Sequence, residues 1–484
     1  MNYLRNLDFV DPDNIGLEGH SMGGWTILSA AAAIPDGYKA MVLEGSSTGS
    51  KRAPEGTTEY PHNLALVFSR YDEFAPLMWE VKKGSDIAQS KKLQKVFGTD
   101  AAIQPGQVYG NVADGTARVL YNPATTHPGD HLSREAIGHA ISWFDQTLTG
   151  AQPLPAANQI WPWKELGTTL GWAGFVLLVM GSGSLLMRSR YFAPLAQAPL
   201  APARANNAGW WVSAAITVLL PVLTFFPFFR WAATALPANA LWPQSITNQI
   251  MVWALLNTLI SLVLYLIWQR RQPAAEVAPA GGRAAALNAA GTGAANTNPV
   301  ATAATPISRS PLNLGSQLWR SALLALGALG SGYLALLLTD FFFKSDFRFW
   351  FVGLKLMNQA QFGMFLAYLP PFLAYTWVTA LVLQRQMRRG TQPSYLTNAL
   401  LLAGGFALFL ALQYGSLFTT GLLFTPSEPL NVIVAIQFLP ILVLVSLFLT
   451  HFARLTGRSY TGAVLAGLFL TWYIVAGQAT QFAS

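Results

Sequence analysis

A short motif near the start of the chain, Gly-His-Ser-Met-Gly-Gly at residues 19–24, could carry out covalent catalysis. The stretch 14–18 before it is typical of a short strand, and the Ala-rich stretch 25–34 after it is typical of a helix. A serine between such elements lies on a sharp turn that exposes its hydroxyl group, and Gly19 and Gly23 on either side leave room for close packing. We therefore predict that Ser21 is a nucleophile, with the N-terminus of the following helix favouring the negative charge that develops beside it.

The motif, its flanking strand and helix, and a further strand expected at residues 39–44 together resemble the nucleophile elbow of the α/β-hydrolase family. The resemblance implies that an acid and then a histidine follow in the chain, each after a later strand. Asp72, which follows the apolar strand 64–68, takes the place of the acid. The alternatives are that Asp72 caps a helix or that Glu73 is the acid. A helix is expected from residue 76 to about residue 95.

Two histidines compete for the remaining place. His127 and His131 both follow the strand expected at 117–121 and precede an amphipathic helix expected at 133–148. The spacing in the family favours His127. His131 could instead orient the loop or contact the start of the helix, and His20, beside the serine, is expected to pack.

The resemblance implies acyl transfer to water. Ser21 would attack a carbonyl carbon, His127 would take the serine proton and return it to the leaving group, and Asp72 would hold the imidazole and stabilise its charged form. The backbone N–H of Met22 would form part of the oxyanion hole. This chemistry uses no metal and no cofactor, and the expected partner is a small ester or other acyl substrate.

The family places its elbow after the fifth strand of an eight-stranded sheet, whereas only 20 residues precede Ser21 here. We therefore expect the C-terminal part of a mostly parallel sheet with flanking helices, in which the elbow strand is an exposed edge. The first four strands and the second oxyanion donor have no counterpart in this sequence. The expectation is that they lie in an upstream extension or on a separate chain, or that the domain has decayed, and that the chain alone is a poor catalyst.

Composition separates this region from the rest of the chain. Only 11% of the 484 residues are charged, less than half the share in soluble proteins, which excludes a wholly soluble or disordered protein. The formal charge is −5 up to residue 158 and +13 after it. The later bases lie between apolar runs, which favours a lipid bilayer and not nucleic acid as the partner. The chain has no cysteine, so disulfides, thiol nucleophiles and Cys-based zinc sites are excluded.

The second part of the chain contains eight apolar runs, each close to the ~20 residues that a helix needs to cross a bilayer. Prolines within them are expected to kink the helices and not to end them. The predicted spans are 167–187, 209–229, 246–268, 321–343, 362–383, 397–414, 432–452 and 462–481.

The loops between these spans differ in charge. Thirteen Lys and Arg residues lie in or beside the odd-numbered loops and four in the even-numbered ones. Because such residues are retained on the cytoplasmic side, the odd loops are predicted to be cytoplasmic, and the region before the first span and the C-terminus extracytoplasmic.

The sequence thus predicts three parts: a partial hydrolase domain at 1–150, a Pro-rich hinge at 151–166 and a membrane domain at 167–484 with a disordered loop at 273–306. Residues 347–357, rich in aromatics, are expected to form either an interfacial segment or an extension of the fifth span. The predicted function is a membrane-anchored serine hydrolase. The alternative is a multi-pass transport or envelope protein with a non-catalytic hydrolase remnant.

Overall fold

The computed structural model describes residues 1–150, 152, 154–199, 208–271, 312–388 and 392–481. The loop predicted to be disordered, 273–306, lies outside these residues. Contacts divide the chain into two compact units, each described below by itself. The first comprises Met1–Ala173, Ser345–Lys355 and Ala403–Ile441, and the second comprises Gly174–Lys344, Leu356–Leu402 and Leu442–Ser484.

The N-terminal domain, residues 1–150, is built on a five-stranded sheet in the order β1-β2-β3-β5-β4. Four strands are parallel, and β4 runs antiparallel to β5. The elbow strand β1 lies at one edge of the sheet, as expected. The strands are β1 (Gly16–His20), β2 (Ala40–Glu44), β3 (Leu64–Val67), β4 (Val108–Tyr109) and β5 (Arg118–Tyr121).

Both faces of this sheet are buried. Successive side chains of a strand point to opposite faces, so one strand contributes to both apolar clusters. On β2, Met41 and Leu43 join one apolar cluster, whereas Val42 joins the other. The first cluster includes Leu28 of helix α2 (Met22–Ala33), and the second includes Trp143 of helix α5 (Arg134–Thr147). Because four of the strands are parallel, their carboxyl ends lie at the same edge of the sheet.

The segment after β3 differs from the single helix predicted at 76–95. It contains two short helices, α3 (Ala75–Trp79) and α4 (Lys91–Phe97), separated by a 3₁₀ turn at Gly84–Gln89. Gly84 explains the break, since a Cβ atom there would lie 2.3 Å from the carbonyl oxygen of Ser69. The chain therefore returns to the end of β3 in the middle of this segment. The domain begins with one further short helix, α1 (Asn2–Arg5).

The described residues after 150 are mostly helical, and seven helices among them are long and apolar enough to cross a membrane. Helix α11 continues through a π turn to Gln386. In the length and apolar composition of its helices, the prediction of a multi-pass membrane region is confirmed. The seven are α6 (Trp161–Leu186), α9 (Ser245–Arg271), α10 (Leu314–Phe343), α11 (Gln359–Leu381), α12 (Tyr395–Thr420), α13 (Pro429–Thr456) and α14 (Tyr460–Gly477).

The second of the eight predicted spans is a bent pair of helices. Helices α7 (Ala208–Leu223) and α8 (Phe225–Ala235) meet at 45°, and together they bring the number of candidate spans to eight if the pair is one span. The break falls three residues after Pro221, whose ring removes a backbone donor. The hydroxyl of Thr224, at the break, donates to Oδ1 of Asn257 on α9 (3.1 Å).

The core of the second unit is helix α14, which packs against α10 and α11. Most of its residues are buried, so this apolar helix is surrounded by protein. Buried polar groups join the neighbouring elements. The hydroxyl of Tyr368 donates to Asn248 (2.6 Å), and the amide of Gln244 donates to the carbonyl of Val475 (2.9 Å).

The aromatic segment that follows α10 is a hairpin. Strands β6 (Phe347–Arg348) and β7 (Gly353–Leu354) pair antiparallel, and α11 begins only at Gln359 with a capping box on Asn358. Of the two expectations for residues 347–357, the helical extension is therefore wrong. Trp350 lies at the tip of this hairpin.

Candidate active site

Ser21 lies between the end of β1 and the start of α2, with backbone angles φ 55° and ψ −121°. Few residues other than glycine adopt such a positive φ, and strain of this kind persists only where neighbours hold it. The Ser21 N–H donates to the carbonyl of Glu44 (2.9 Å), and the Ser21 carbonyl accepts from the hydroxyl of Ser46 (2.7 Å). The strand β2 and the loop after it thus fix the strained turn.

Two glycines permit this packing. A Cβ on Gly19 would lie 2.4 Å from the carbonyl carbon of Gly23, and a Cβ on Gly24 would lie 2.2 Å from Oγ of Ser46. The expectation for Gly19 therefore fits the structure, but that for Gly23 is wrong, because a Cβ on Gly23 would meet nothing within 4 Å. The close contact belongs to the next residue, which faces the loop after β2.

His127 and Asp72 form a buried pair, each only 3% exposed. The Nδ1–H of His127 donates to Oδ2 of Asp72 (2.8 Å), while Oδ1 of Asp72 accepts the N–H of Phe74 (2.7 Å). A carboxylate accepts but does not donate, so the neutral imidazole carries its proton on Nδ1 and a lone pair on Nε2. This is the tautomer that a general base for a serine hydroxyl needs.

The loops that carry these two residues lie side by side beyond β3 and β5. Arg70 N–H donates to the carbonyl of Pro123 (2.8 Å) and Tyr71 N–H to that of Thr125 (3.0 Å). An isolated parallel bridge joins Tyr71 to Thr126. The two strands therefore continue their pairing for a few residues into the loops.

Gly45, the residue after β2, connects this pair to the elbow. Its φ is +51°, and a Cβ there would lie 2.9 Å from Nδ1 of His127 and 3.0 Å from Nε2 of His20. Gly45 follows Glu44, whose carbonyl accepts the N–H of Ser21. The loop that carries His127 therefore packs against the residue next to the one that binds the elbow. The structure thus brings Ser21, His127 and Asp72 to the same edge of the sheet, at the carboxyl ends of parallel strands.

Glu73 does not take the place of the acid, but its carboxylate binds the backbone N–H of the same histidine, His127. Its Oε2 accepts the N–H of His127 (2.9 Å), and its Oε1 accepts the hydroxyl of Tyr414 on helix α12 (3.0 Å). The side chain is 6% exposed. The sequence carried no signal for this role, because Tyr414 lies 341 residues away in an apolar run.

Burial shifts the acid–base equilibria of these groups. It raises the pKa of Asp72 to about 7, although the Phe74 N–H opposes the shift. Burial, with the neighbouring charge of Asp72, also raises the pKa of Glu73 to about 7. Burial lowers the pKa of His127, against the attraction of Glu73 and Asp130. A histidine held neutral at neutral pH is suited to accept a proton.

His131, the competing histidine, makes no contact with Asp72 in the described part of the chain. Its ring lies 4.1 Å from that of His20 and stacks at 5.1 Å on Trp350 of the β6–β7 hairpin. Burial, together with the neighbouring histidines, lowers its pKa to about 3, so it stays neutral. Its ring therefore packs against the rings of His20 and Trp350.

His20 does more than pack. Its Nε2–H donates to the carbonyl of His127 (3.0 Å) and lies 3.6 Å from Oδ2 of Asp130. Asp130 in turn accepts the hydroxyl of Ser69. The carbonyl and the N–H of His127 are therefore both bound, the first by His20 and the second by Glu73. These contacts fix the backbone of the residue that must face the serine.

Met22 begins helix α2, and its side chain is exposed beside an open groove of about 500 Å³. As the first helical residue its N–H has no acceptor within the helix, so it is free to bind an anion. The groove is lined by Met22, Trp25, Thr26, Ser29, Lys51, Arg52 and Ala53. Among the described residues, no group of three His, Asp or Glu side chains is arranged to hold a metal ion.

Comparison with known families gives a match at the start of the chain. Residues 1–59 match the sequence model of the prolyl oligopeptidase family. The N-terminal domain has an α/β-hydrolase fold. The matched residues include β1, the elbow, α2 and β2. No curated protein and no solved structure gives a significant match.

Proposed function

We propose that this protein is a membrane-anchored serine hydrolase that cleaves an ester or other acyl substrate. The observation that carries the proposal is the strained Ser21 elbow together with the buried His127–Asp72 pair, both at the carboxyl ends of the parallel strands. The match of residues 1–59 to the prolyl oligopeptidase family supports it, because those residues contain the serine. The name of that family makes peptide amides a substrate class to test together with esters.

In the proposed reaction, Oγ of Ser21 attacks the carbonyl carbon while Nε2 of His127 takes the hydroxyl proton. Asp72 stabilises the imidazolium that forms. The C–O or C–N bond then breaks, the leaving group takes the proton from His127, and the acyl group remains on the serine. Water attacks this acyl-enzyme with His127 again acting as base, which releases the acid and restores Ser21.

The Met22 N–H is the proposed donor to the oxyanion of the tetrahedral intermediate. Met22 follows the nucleophile directly and begins α2, where the helix dipole also favours negative charge. Loss of one such donor costs about 10²–10³-fold in turnover in a well-studied protease.

We further propose that the hydrolase domain is extracytoplasmic and that the chain is anchored by a multi-pass membrane region. The asymmetry of Lys and Arg between alternate loops supports this orientation. Two contacts within the first unit agree with it. Tyr414, at the exterior end of the sixth predicted span, contacts Glu73, and Trp350, in the even-numbered loop after the fourth, contacts His131.

The test is to label the full chain in membranes with a fluorophosphonate probe. The expected result is covalent labelling that Ser21→Ala abolishes and Ser85→Ala, a matched change at an exposed loop serine, leaves intact. Turnover should then be measured with p-nitrophenyl esters and with peptide anilides. A well-expressed wild-type chain that is never labelled, or that is labelled equally after Ser21→Ala, would support the non-catalytic alternative and reject the proposal.

A further inference from the structure

Glu73 is a buried carboxylate whose two oxygens bind different parts of the chain. One oxygen accepts the backbone N–H of His127, and the other accepts the hydroxyl of Tyr414 near the end of helix α12. The proposed mechanism uses neither Glu73 nor Tyr414 in a chemical step. Their contact is the hydrogen-bonded path from an apolar, membrane-length helix to the backbone of the proposed catalytic base.

The end of α12 also lies close to Tyr71 of the acid loop and to Lys83, which follows α3. The ring of Phe418, one helical turn after Tyr414, meets the ring of Tyr71 edge to face at 5.3 Å. Gly421 has φ +79°, and a Cβ there would lie 2.8 Å from Cδ of Lys83. The Tyr414 hydrogen bond is therefore one of several contacts between the end of this helix and the residues that follow β3.

We propose that Tyr414 is a positioning residue: through Glu73 it fixes the backbone of His127, so that helix α12 aligns the base with Ser21. This inference rests on the proposed hydrolase function. It predicts that the catalytic geometry of the hydrolase domain depends on a helix of the membrane region.

The alternative is that the Tyr414 hydroxyl only satisfies a buried acceptor and contributes to stability. The two cases differ in what they do to the histidine. A looser Glu73 would shift the backbone of His127 and lower kcat, with little effect on substrate binding. A lost stabilising contact would lower the amount of folded protein, but each folded molecule would keep its turnover number.

The charge of Glu73 gives a second readout. An anion beside His127 favours its protonated form, so removing that charge lowers the histidine pKa and moves the acidic limb of the activity profile to lower pH. Glu73→Gln should show this shift in full. Tyr414→Phe should show a smaller one in the same direction, because a carboxylate that loses a donor binds its proton more tightly. The other titratable groups that face His127 are Asp72, His20, Asp130 and His131.

The experiment compares Tyr414→Phe, Glu73→Gln and the double variant in the full chain, with p-nitrophenyl ester as the probe. Active sites are counted by fluorophosphonate labelling so that kcat refers to folded enzyme. The matched control is Tyr395→Phe, which removes the same atom from the same helix, where the hydroxyl pairs with His451 (3.2 Å).

The expected result is a fall in kcat of about ten-fold for each single variant, the lower range for a hydrogen bond to a charged group. KM should stay within about two-fold, the double variant should be no worse than the poorer single one, and Tyr395→Phe should match the wild type.

Three results would overturn the inference in a wild type that is labelled at Ser21. They are an unchanged kcat in Tyr414→Phe, multiplicative losses in the double variant, or an equal loss in Tyr395→Phe. Absence of labelling in the wild type is a separate outcome, because it would reject the hydrolase function itself and the positioning role with it.

Discussion

Tyr71 forms an isolated parallel bridge with Thr126, and each of these residues immediately precedes one member of the Asp72–His127 pair. The bridge extends the parallel pairing of β3 and β5 with a shift of one residue, because Val67 is opposite Tyr121 and an unbroken register would place Tyr71 opposite Thr125. Parallel pairing therefore places the acid and the histidine side by side before either side chain is considered. It also distinguishes the two histidines, because His131 lies beyond the bridge in a 3₁₀ turn (Asp130–Leu132).

The first prediction concerns these two histidines. We expect His127→Ala to lower kcat by on the order of 10⁴-fold or more, as loss of the base does in serine proteases. His131→Ala should lower kcat far less, because His131 contacts only the rings of His20 and Trp350 among the interactions described above. Ester turnover per labelled active site measures both effects. A greater loss in His131→Ala would reverse the assignment.

The second prediction concerns the pH dependence of activity. We expect kcat/KM to rise with pH through about 7, because burial raises the pKa of Asp72 to about 7. Below that pH the protonated acid cannot stabilise the imidazolium, and above it the carboxylate can. The apparent pKa of this rise in activity belongs to the coupled cluster of Asp72, Glu73 and His127 and not to one residue. Rates of probe labelling between pH 5 and pH 9 would measure it. The control Asp86→Asn removes a half-buried carboxylate outside this cluster and should leave the pH dependence unchanged. A rise centred near pH 4 would contradict the prediction.

The third prediction concerns stability. Burial, together with the charges of Asp130 and Glu18, raises the pKa of Glu44 to about 8. The folded state therefore binds a proton that the unfolded state releases between about pH 4.5 and pH 8, and stability falls as pH rises through this range. Glu44→Gln carries no charge, so we expect it to be more stable than the wild type above pH 8, by on the order of a few kcal/mol. Thermal unfolding at pH 4.5 and pH 8.5 tests this. A variant that is less stable at pH 8.5 would show that the ionised carboxylate contributes to the fold.

The fourth prediction concerns topology. Reporter fusions after Arg190, Arg271, Arg389 and Arg458 should all give a cytoplasmic signal, because the Lys and Arg residues concentrate in those loops. Fusions at either terminus should report the exterior. Two exterior signals among the four loop positions would show that the orientation is inverted or that the number of spans differs.

The strands and the elbow could be predicted because their patterns are local. Apolar stretches such as 64–68 match buried strands, and the spacing of Gly19 and Ser21 matches a sharp turn. The glycine that faces Ser46 could not be identified, because the motif alone does not show whether the neighbouring loop packs on Gly23 or on Gly24. The break in the helix after Asp72 was missed for the same reason, since it depends on the approach of Gly84 to Ser69.

Apart from Asp72, the contacts around His127 could not be predicted. Tyr414 lies in an apolar run that its composition assigns to a membrane span, and nothing in that run indicates a contact with Glu73. The hairpin that carries Trp350 was uncertain because its aromatic residues fit either an interfacial segment or a longer helix. Such contacts depend on long-range packing, which leaves no periodic pattern in the sequence.

The strained conformation of Ser21 has a consequence for how the N-terminal domain folds. Its N–H is bound by Glu44 and its carbonyl by Ser46, so both bonds need strand β2 and the following loop in place. A nascent chain whose first strand and helix alone have formed has no partner to hold φ at 55°, and the serine relaxes to an ordinary turn. Reactivity of Ser21 toward an active-site probe therefore appears only after β2 has docked. Labelling followed over time during synthesis or refolding would measure completion of the sheet, with the nucleophile as its reporter.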